Sequence, residues 1–332
     1  LKMDFLGLRN LTVIDKAVKL IKKRGIDVDI DGLEFNDPKV YKLFAKGMTA
    51  GIFQFESSGM REFLKKLKPT ELEDLIAMNA LYRPGPMNNI NDYIDRKHGK
   101  KKIKYPHPDL EVILKETHGI IVYQEQVMQI ANTIAGFSMA DADLMRRAMG
   151  KKIAKLMQEM SQKFIDGAIK RGIPKSNAID IMDLIEKFAQ YGFNKSHSTA
   201  YSIIAYQTAW LKTYYPAEFM SANLTSEMSN SDRVVILINE CRKLGIEVNA
   251  PNINVSDVEF NPVDDKRISF GLNAVKNVGT KTAEKIIEER QNNGEFADIF
   301  ELCSRVDLHS LNKKVLESLV KSGAMDSLEG TR

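Results

Sequence analysis

From about residue 11 to about residue 250 the sequence is overwhelmingly helical in pattern. Apolar residues recur at three- and four-residue spacing, and glycine and proline punctuate the segments. Each such segment has one face to bury against its neighbours, so the expected fold class is mainly α. Val13, Ile14, Ala17, Val18 and Ile21 form the first of these faces, and Arg24-Gly25 supplies its stop. Thr70-x-x-Glu73 after Pro69 and Ser138-x-x-Asp141 resemble capping boxes, while Gly150, Gly172 with Pro174, Gly192 and Pro216 mark ends. The run "GIIVY" at 119–123 fits either an isolated strand or the start of a buried helix.

The two ends depart from this texture. "LKMDFLGL" sets Leu1, Met3 and Phe5 against Lys2 and Asp4, the period of a half-buried strand that Gly7 breaks, with Asp4 on the face away from the core. The chain begins without Met inside this strand and is expected to be a piece of something longer. Around residues 250–270, "NAPNINVSDVEFNP" loses helical periodicity and marks a domain boundary. Beyond it, "AVKNVGTKTAEKIIEERQNNG" and "LNKKVLESLVKSGAMDSL" each read as a pair of short helices around a Gly-bearing turn, a duplicated hairpin.

With 332 residues, 43% of them hydrophobic and 28% charged, the chain should form two or three folded domains without long disorder. Cys241 and Cys303 have no partner at metal-ligand spacing and are expected to be reduced, buried and structural, as in a cytosolic protein. No apolar run approaches the roughly 18 residues that span a bilayer, so no membrane partner is expected. A net charge of +4 is too small to decide nucleic-acid binding by itself, and distribution matters more.

The joint "YGFNKSHS" puts Lys195 and His197 where one helix ends near Tyr191-Gly192 and the next begins near Ser198. Free N–H groups and the positive end of the helix dipole favour an anion there, phosphate above all. The plainer alternative is that Ser196 or Ser198 caps the helix and Lys195 is solvated. In "LMRRAMGKK", Arg146 and Arg147 fall in the last turn of a helix stopped by Gly150. They either complement its dipole or, pointing about 100° apart and so unable to share one carboxylate, send one guanidinium toward a cleft. "YRPGPM" fixes the direction of Arg83, for phosphate, base or turn-anchoring contact. The run Arg96, Lys97, Lys100, Lys101, Lys102 and Lys104 is either a solvated face or a phosphate contact.

The C-terminal repeat is more specific. "VKNVGTKTAEKII" has a helix-hairpin-helix layout, with Gly279 in the turn and Thr280 and Lys281 opening a helix. Its N–H groups, with Lys276 and Lys281, suit a DNA phosphate irrespective of base sequence. Asn277 stands where a first glycine often lies, and the second unit, around Lys321, Ser322 and Gly323, is weaker. No P-loop, nucleophile elbow or HExxH motif is present.

In order along the chain, "KMDFLGLRNLT", "FQFESSGM", "YRPGPM", "YQEQVMQIA", "LMRRAMGKK" and "YGFNKSHSTAYSIIAYQTAWLK" closely resemble the bacterial DNA polymerase III alpha-subunit family of replicative polymerases, from Leu1 to Arg332. The resemblance implies that residues 1–10 are the last strand of a nucleotidyltransferase-like palm. It makes 11–250 the helical fingers, and 251–332 a small tandem helix-hairpin-helix region that starts the clamp-binding domain.

It implies that Asp4 is one of three catalytic aspartates binding two Mg²⁺ ions. The other two lie upstream, so the isolated fragment should not polymerise. Arg146, Arg147, Lys195 and His197 would meet the phosphates of the incoming dNTP, and Arg83 template or nucleotide. Lys276, Gly279, Thr280 and Lys281 would meet primer-template DNA; Gln54, Glu56 and Gln126 have no assigned role. The sliding clamp and other replisome subunits are expected partners. A different class of function, a non-catalytic helical module that binds DNA and protein partners, would give Asp4 no role and no nucleotide effect on DNA affinity.

Overall fold

The computed structural model describes residues 7–151, 154–189, 191–307 and 309–330. The first helices are α1 (Arg9–Lys23), α2 (Pro38–Ala45), α3 (Ser58–Leu67), α4 (Leu72–Leu81), α5 (Ile90–Lys97) and α6 (Glu111–Leu114). There follow α7 (Gln124–Ala135), α8 (Met139–Lys151), α9 (Ala154–Lys170), α10 (Lys175–Ala189), α11 (Lys195–Tyr214), α12 (Pro216–Ser226) and α13 (Ser231–Lys243). Strands β1 (Glu247–Val248), β2 (Asn261–Asp264) and β3 (Arg267–Ser269) precede α14 (Thr280–Asn293), α15 (Ile299–Arg305) and α16 (Lys313–Ser322). The chain divides into two compact units, one of Leu1–Glu34, Thr49–Phe53 and Gln207–Arg332, the other of Phe35–Met48 and Gln54–Tyr206.

In the first unit, α1 buries Val13, Ile14, Ala17 and Ile21 against α12, whose residues 217–225 are all buried. Arg24 caps α1 and Gly25 follows at φ +79, the stop expected. A helix buried all round carries its polar groups inward: Glu218 on α12 receives a hydrogen bond from Arg24, whereas the Ser221 hydroxyl on the same helix is buried without a hydrogen-bond partner among the described residues. Beside it, the Lys212 ammonium donates 2.8 Å to the Ala50 carbonyl and 2.7 Å to Glu240, both side chains being buried. Burial pushes the neighbouring Cys241 thiol up to about 12, in keeping with an inert thiol, whereas Cys303 is only half-buried.

The stretch with lost helical period forms a three-stranded sheet of order β1-β3-β2, with β1 parallel and β2 antiparallel to β3. Strands of two to four residues are too short for an alternating pattern to be seen. After it, Ile253, Leu272, Val278, Ile286, Leu302, Val315 and Leu319 share one core among α14, α15 and α16. The Gly-bearing turn expected at Gly323 is the left-handed C-cap of α16 (φ +80), and the second helical pair is α15 with α16 instead.

In the second unit α7 is central, packed by α8 and α9, with α10 on α9. Val127, Ile130, Ile134, Met145, Phe164, Ile181 and Ile185 are its buried inner faces, each worth about 1.5–3 kcal/mol of burial before the entropy of ordering is counted. Gly150 does not stop α8, which runs on to Lys151. Thr70 does not cap through Glu73 either: its N–H and hydroxyl go to Asp74, a buried carboxylate that also takes Lys97 at 2.8 Å. Ser138 does accept from Asp141 N–H, but the Asp141 carboxylate takes the Ser138 hydroxyl rather than a backbone N–H.

Candidate functional site

The joint at 191–197 is built on a single parallel β-bridge between Tyr123 and Phe193. Gln124 N–H donates 2.9 Å to the Phe193 carbonyl, and α7 begins at Gln124 just as α11 begins at Lys195. "GIIVY" is thus an extended approach to a helix. Because the two segments run parallel and each turns into a helix at once, two helix N-termini lie side by side. Each is the positive end of a dipole, and most of the first N–H groups are already engaged, Gln124 by the Phe193 carbonyl, Lys195 by Glu125 and His197 by Asn194.

The residues around this pair carry charge. Asn194, rather than Ser196 or Ser198, caps α11: its side-chain oxygen accepts from His197 N–H at 2.8 Å. Ser198 is fully buried and donates 2.6 Å to the Ile76 carbonyl. Lys195 is the first residue of the helix, three earlier than the expected start at Ser198. Its N–H donates 3.0 Å to Glu125, in the first turn of α7, while the same carboxylate takes the Asn194 amide at 2.9 Å. Its ammonium donates 2.7 Å to Glu116 and sits over the Tyr123 ring. The His197 imidazole is exposed between the Phe193 ring, edge-on at 5.5 Å, and the Tyr201 ring at 4.1 Å.

Arg83 reaches the joint from "YRPGPM". Its Nε donates to the Ala80 carbonyl at 2.9 Å, its Nη2 to the Tyr191 carbonyl at 2.8 Å, and its guanidinium lies 4.2 Å from the Phe193 ring centroid. Burial pushes its pKa below the usual guanidinium value. Gly85, at φ +100, makes the approach feasible, since a Cβ there would stand 2.2 Å from the Tyr191 ring. Arg146 closes the group through Gln124: its Nη1 donates 3.3 Å to Gln124 Oε1, and Gln124 Nε2 donates 3.2 Å to the Gly192 carbonyl.

Arg146 and Arg147 correct an expectation, for both do pair with one carboxylate. Asp143 takes Arg146 at 2.7 Å on Oδ1 and Arg147 at 2.5 Å on Oδ2, and the two guanidinium groups hold its carboxyl below the usual range. Residues three and four positions on flank the starting residue of a helix, so an aspartate between them bridges a gap that the two arginines cannot close directly. Arg147 remains mostly exposed.

The structure therefore brings Arg83, Arg146, Lys195 and His197 together around Gln124 and Phe193. Glu116, Glu125, Gln124, Phe193 and Tyr201 belong to the same cluster and were missed; the only trace in the sequence is the polar triplet Gln124-Glu125-Gln126 opening a helix after an apolar run. Gln126 is structural, its buried side chain accepting from Val122 and Tyr123 N–H and donating to Ile113 and Thr117. Asp4 and its strand lie outside the described residues, and α1 begins at Arg9, within the span expected to be palm strand. Among the described residues no group of three His, Cys, Asp or Glu could hold a metal ion.

In the other unit, Val278 and Gly279 lead into α14. Asn277 adopts φ +68, the left-handed conformation for which a first glycine is usual, and its amide donates 2.9 Å to Ser318 on α16. Gly279 is the N-cap and supplies no side-chain acceptor. Nothing lies within 4 Å of where its Cβ would be. Lys276, Thr280 and Lys281 are exposed around this open helix start.

Residues 10–172 match the family described as bacterial DNA polymerase III alpha subunit finger domain, and residues 245–332 match a helix-hairpin-helix motif. The chain belongs to the bacterial DNA polymerase III alpha-subunit family. DNA polymerase III subunit alpha of Pseudomonas aeruginosa is 50% identical over 98% of the chain, that of Borreliella burgdorferi 51% over 100%, and that of Thermus aquaticus 49% over 98%. The chain covers 29%, 29% and 27% of those relatives respectively, under a third of their length. No helix among the described residues is long and apolar enough to cross a membrane.

Proposed function

We propose that this chain is the fingers-bearing part of a template-directed DNA polymerase, and that the cluster on the paired helix starts receives the triphosphate of the incoming dNTP. The convergence of Arg83, Arg146, Lys195 and His197 on two adjacent helix N-termini supports the reading most. Such a site favours phosphate oxygens through backbone N–H donors, dipoles and cations together. In the absence of a nucleotide, Glu116 and Glu125 supply the anionic oxygens. The triphosphate takes over the Lys195 ammonium from Glu116, while Arg83 holds the joint in place through its carbonyl and ring contacts. Arg147, mostly exposed, would exchange Asp143 for the outer phosphate oxygens. His197, held between two aromatic rings, presents a ring nitrogen that can donate to the leaving pyrophosphate.

The open start of α14, with Lys276, Gly279, Thr280 and Lys281, is proposed to hold the DNA backbone without reading bases. Mg²⁺ bound by Asp4 with two further aspartates, contact with a sliding clamp and other replisome subunits, and a cytoplasmic location belong to the same proposal. They rest on family membership alone, and no chemical step is routed through the metal.

The test is single-turnover primer extension by the full-length protein, comparing wild type with Lys195→Met and Arg146→Met, with primer-template affinity measured in parallel. The expected result is a dNTP Kd raised at least tenfold at unchanged DNA affinity. Unchanged dNTP binding in both variants would sink the assignment.

A further inference from the structure

The basic run at 96–104 has a role that its sequence leaves open. Four of its six members can be placed. Lys97 goes inward to buried Asp74, Arg96 donates to the His118 carbonyl, and Lys101 pairs with Asp92, so these three serve the fold. Lys100 lines a recess of about 520 Å³ together with Lys65, Lys66, Lys68, Asn91, Ile94, Asp95 and His98.

Three of those lysines come from the end of α3, some thirty residues earlier in the chain. Lys65 pairs with Glu62, whereas Lys66, Lys68 and Lys100 are exposed and make no ion pair among the described residues. The two segments are fastened together by His98, whose Nε2 donates 3.1 Å to the Lys66 carbonyl, while Lys100 and Lys101 N–H both turn back to the Asp95 carbonyl within their own segment. Lys68 holds the C-cap of α3 at φ +49, a conformation that glycine enters more freely, so a charged side chain occupies this point against backbone preference.

The geometry points to a phosphodiester-binding recess at Lys66, Lys68 and Lys100, contacting the DNA strand apart from the dNTP cluster. Its only apolar lining residue, Ile94, is itself buried, so a protein partner finds no anchor there. The only ring in its lining, His98, is tied to the Lys66 carbonyl through Nε2, and the lining is dominated by lysines, so the contact is chiefly to the backbone. Lysines, as point charges without a fixed fork, suit phosphates that must slide past in any sequence.

The inference rests on the polymerase reading but is tested separately from it. Full-length Lys66→Gln/Lys68→Gln/Lys100→Gln protein, with its melting temperature checked against wild type, is titrated with two DNAs at a series of salt concentrations. One is a primer-template with a long single-stranded overhang, the other a duplex without it. Each lost phosphate contact should flatten the plot of log affinity against log salt by roughly 0.9 for duplex or 0.7 for single strand. The expected change for three contacts is therefore about 2 on single strand or about 3 on duplex, with dNTP Kd unchanged. Flattening confined to the overhang DNA assigns the recess to single strand, and flattening with both assigns it to duplex. Wild-type slopes and affinities with both DNAs would overturn the proposal. So would a raised dNTP Kd at unchanged DNA binding, which would move the lysines to the nucleotide.

Discussion

The guanidinium of Arg83 lies 4.2 Å from the centroid of the Phe193 ring while its Nη2 donates 2.8 Å to the neighbouring Tyr191 carbonyl, a contact across 108 residues. This one side chain fastens the joint that carries Lys195. Lysine in its place has neither the planar stack nor two separated donors. Arg83→Lys should raise the dNTP Kd about tenfold, equivalent to ~1.4 kcal/mol, and Arg83→Ala should do no worse. Pre-steady-state nucleotide titration measures both, and full rescue by lysine would show that charge alone matters.

Glu116 competes for the Lys195 ammonium. Both side chains are about a third exposed, so the pair is screened and worth at most about 1 kcal/mol. Glu116→Gln should accordingly lower the dNTP Kd by roughly two- to fivefold at unchanged maximal rate. Weaker nucleotide binding would mean that Glu116 orients Lys195 instead of occupying it.

At Gly279 two properties should separate. Its φ of −83 suits any residue, and the space around it is open. Gly279→Asp would accept from the first N–H groups of α14; an Asp in place of Gly at this cap is expected to add only a few tenths of a kcal/mol of stability. It should also weaken DNA binding severalfold by putting a carboxylate where a phosphate is proposed to sit. Thermal melting and DNA titration of the same preparation check both directions, and unaltered DNA binding would remove the hairpin from the interface.

Lys212 and Glu240 are buried together. Lys212→Met leaves the buried carboxylate with only the distant, exposed Lys243 at 3.8 Å among the described residues and should cost about 3–5 kcal/mol. Adding Glu240→Leu should recover most of that, because a packed apolar pair escapes the desolvation penalty. Denaturant unfolding of the single and double variants gives the answer directly.

Asp307 gives a pH dependence. The Lys285 ammonium at 2.9 Å, helped by the His309 N–H, holds its carboxyl at about 2, below the ordinary 3.8. The folded value is the depressed one. Its stabilising share is therefore complete above about pH 4 and is lost as pH falls through 3.8 toward 2. Lys285→Ala should flatten the acid limb of the melting curve in that window and leave neutral pH little changed.

What the sequence shows and what it hides divide by distance along the chain. The face of α1 and its stop at Gly25 follow from local spacing and punctuation, as does the start of a helix after Gly192, read three residues later than its first residue, Lys195. Asn277 could be flagged as standing in a glycine's place, and its backbone is left-handed there. The partners of Lys195 could not be read in this way, for Glu116 is 79 residues away and Glu125 is 70. Treating Arg146 and Arg147 as two directions on a wheel failed because Asp143, sitting between those directions, was left out. Lys66 and Lys100 share a recess because α3 packs on α5 and His98 bonds back to the Lys66 carbonyl, neither of which local spacing shows.

The Tyr123–Phe193 bridge also has a mechanical meaning. One backbone bond, from Gln124 N–H to the Phe193 carbonyl, ties the starts of α7 and α11, and the Gln124 side chain adds a second strut to Gly192. Pulling on the Lys195 end therefore loads α7, whose buried face cannot slide without opening a packed core. The side chains around Lys195 are thus mounted on the packed core beneath α7, and the two helix starts are mechanically coupled.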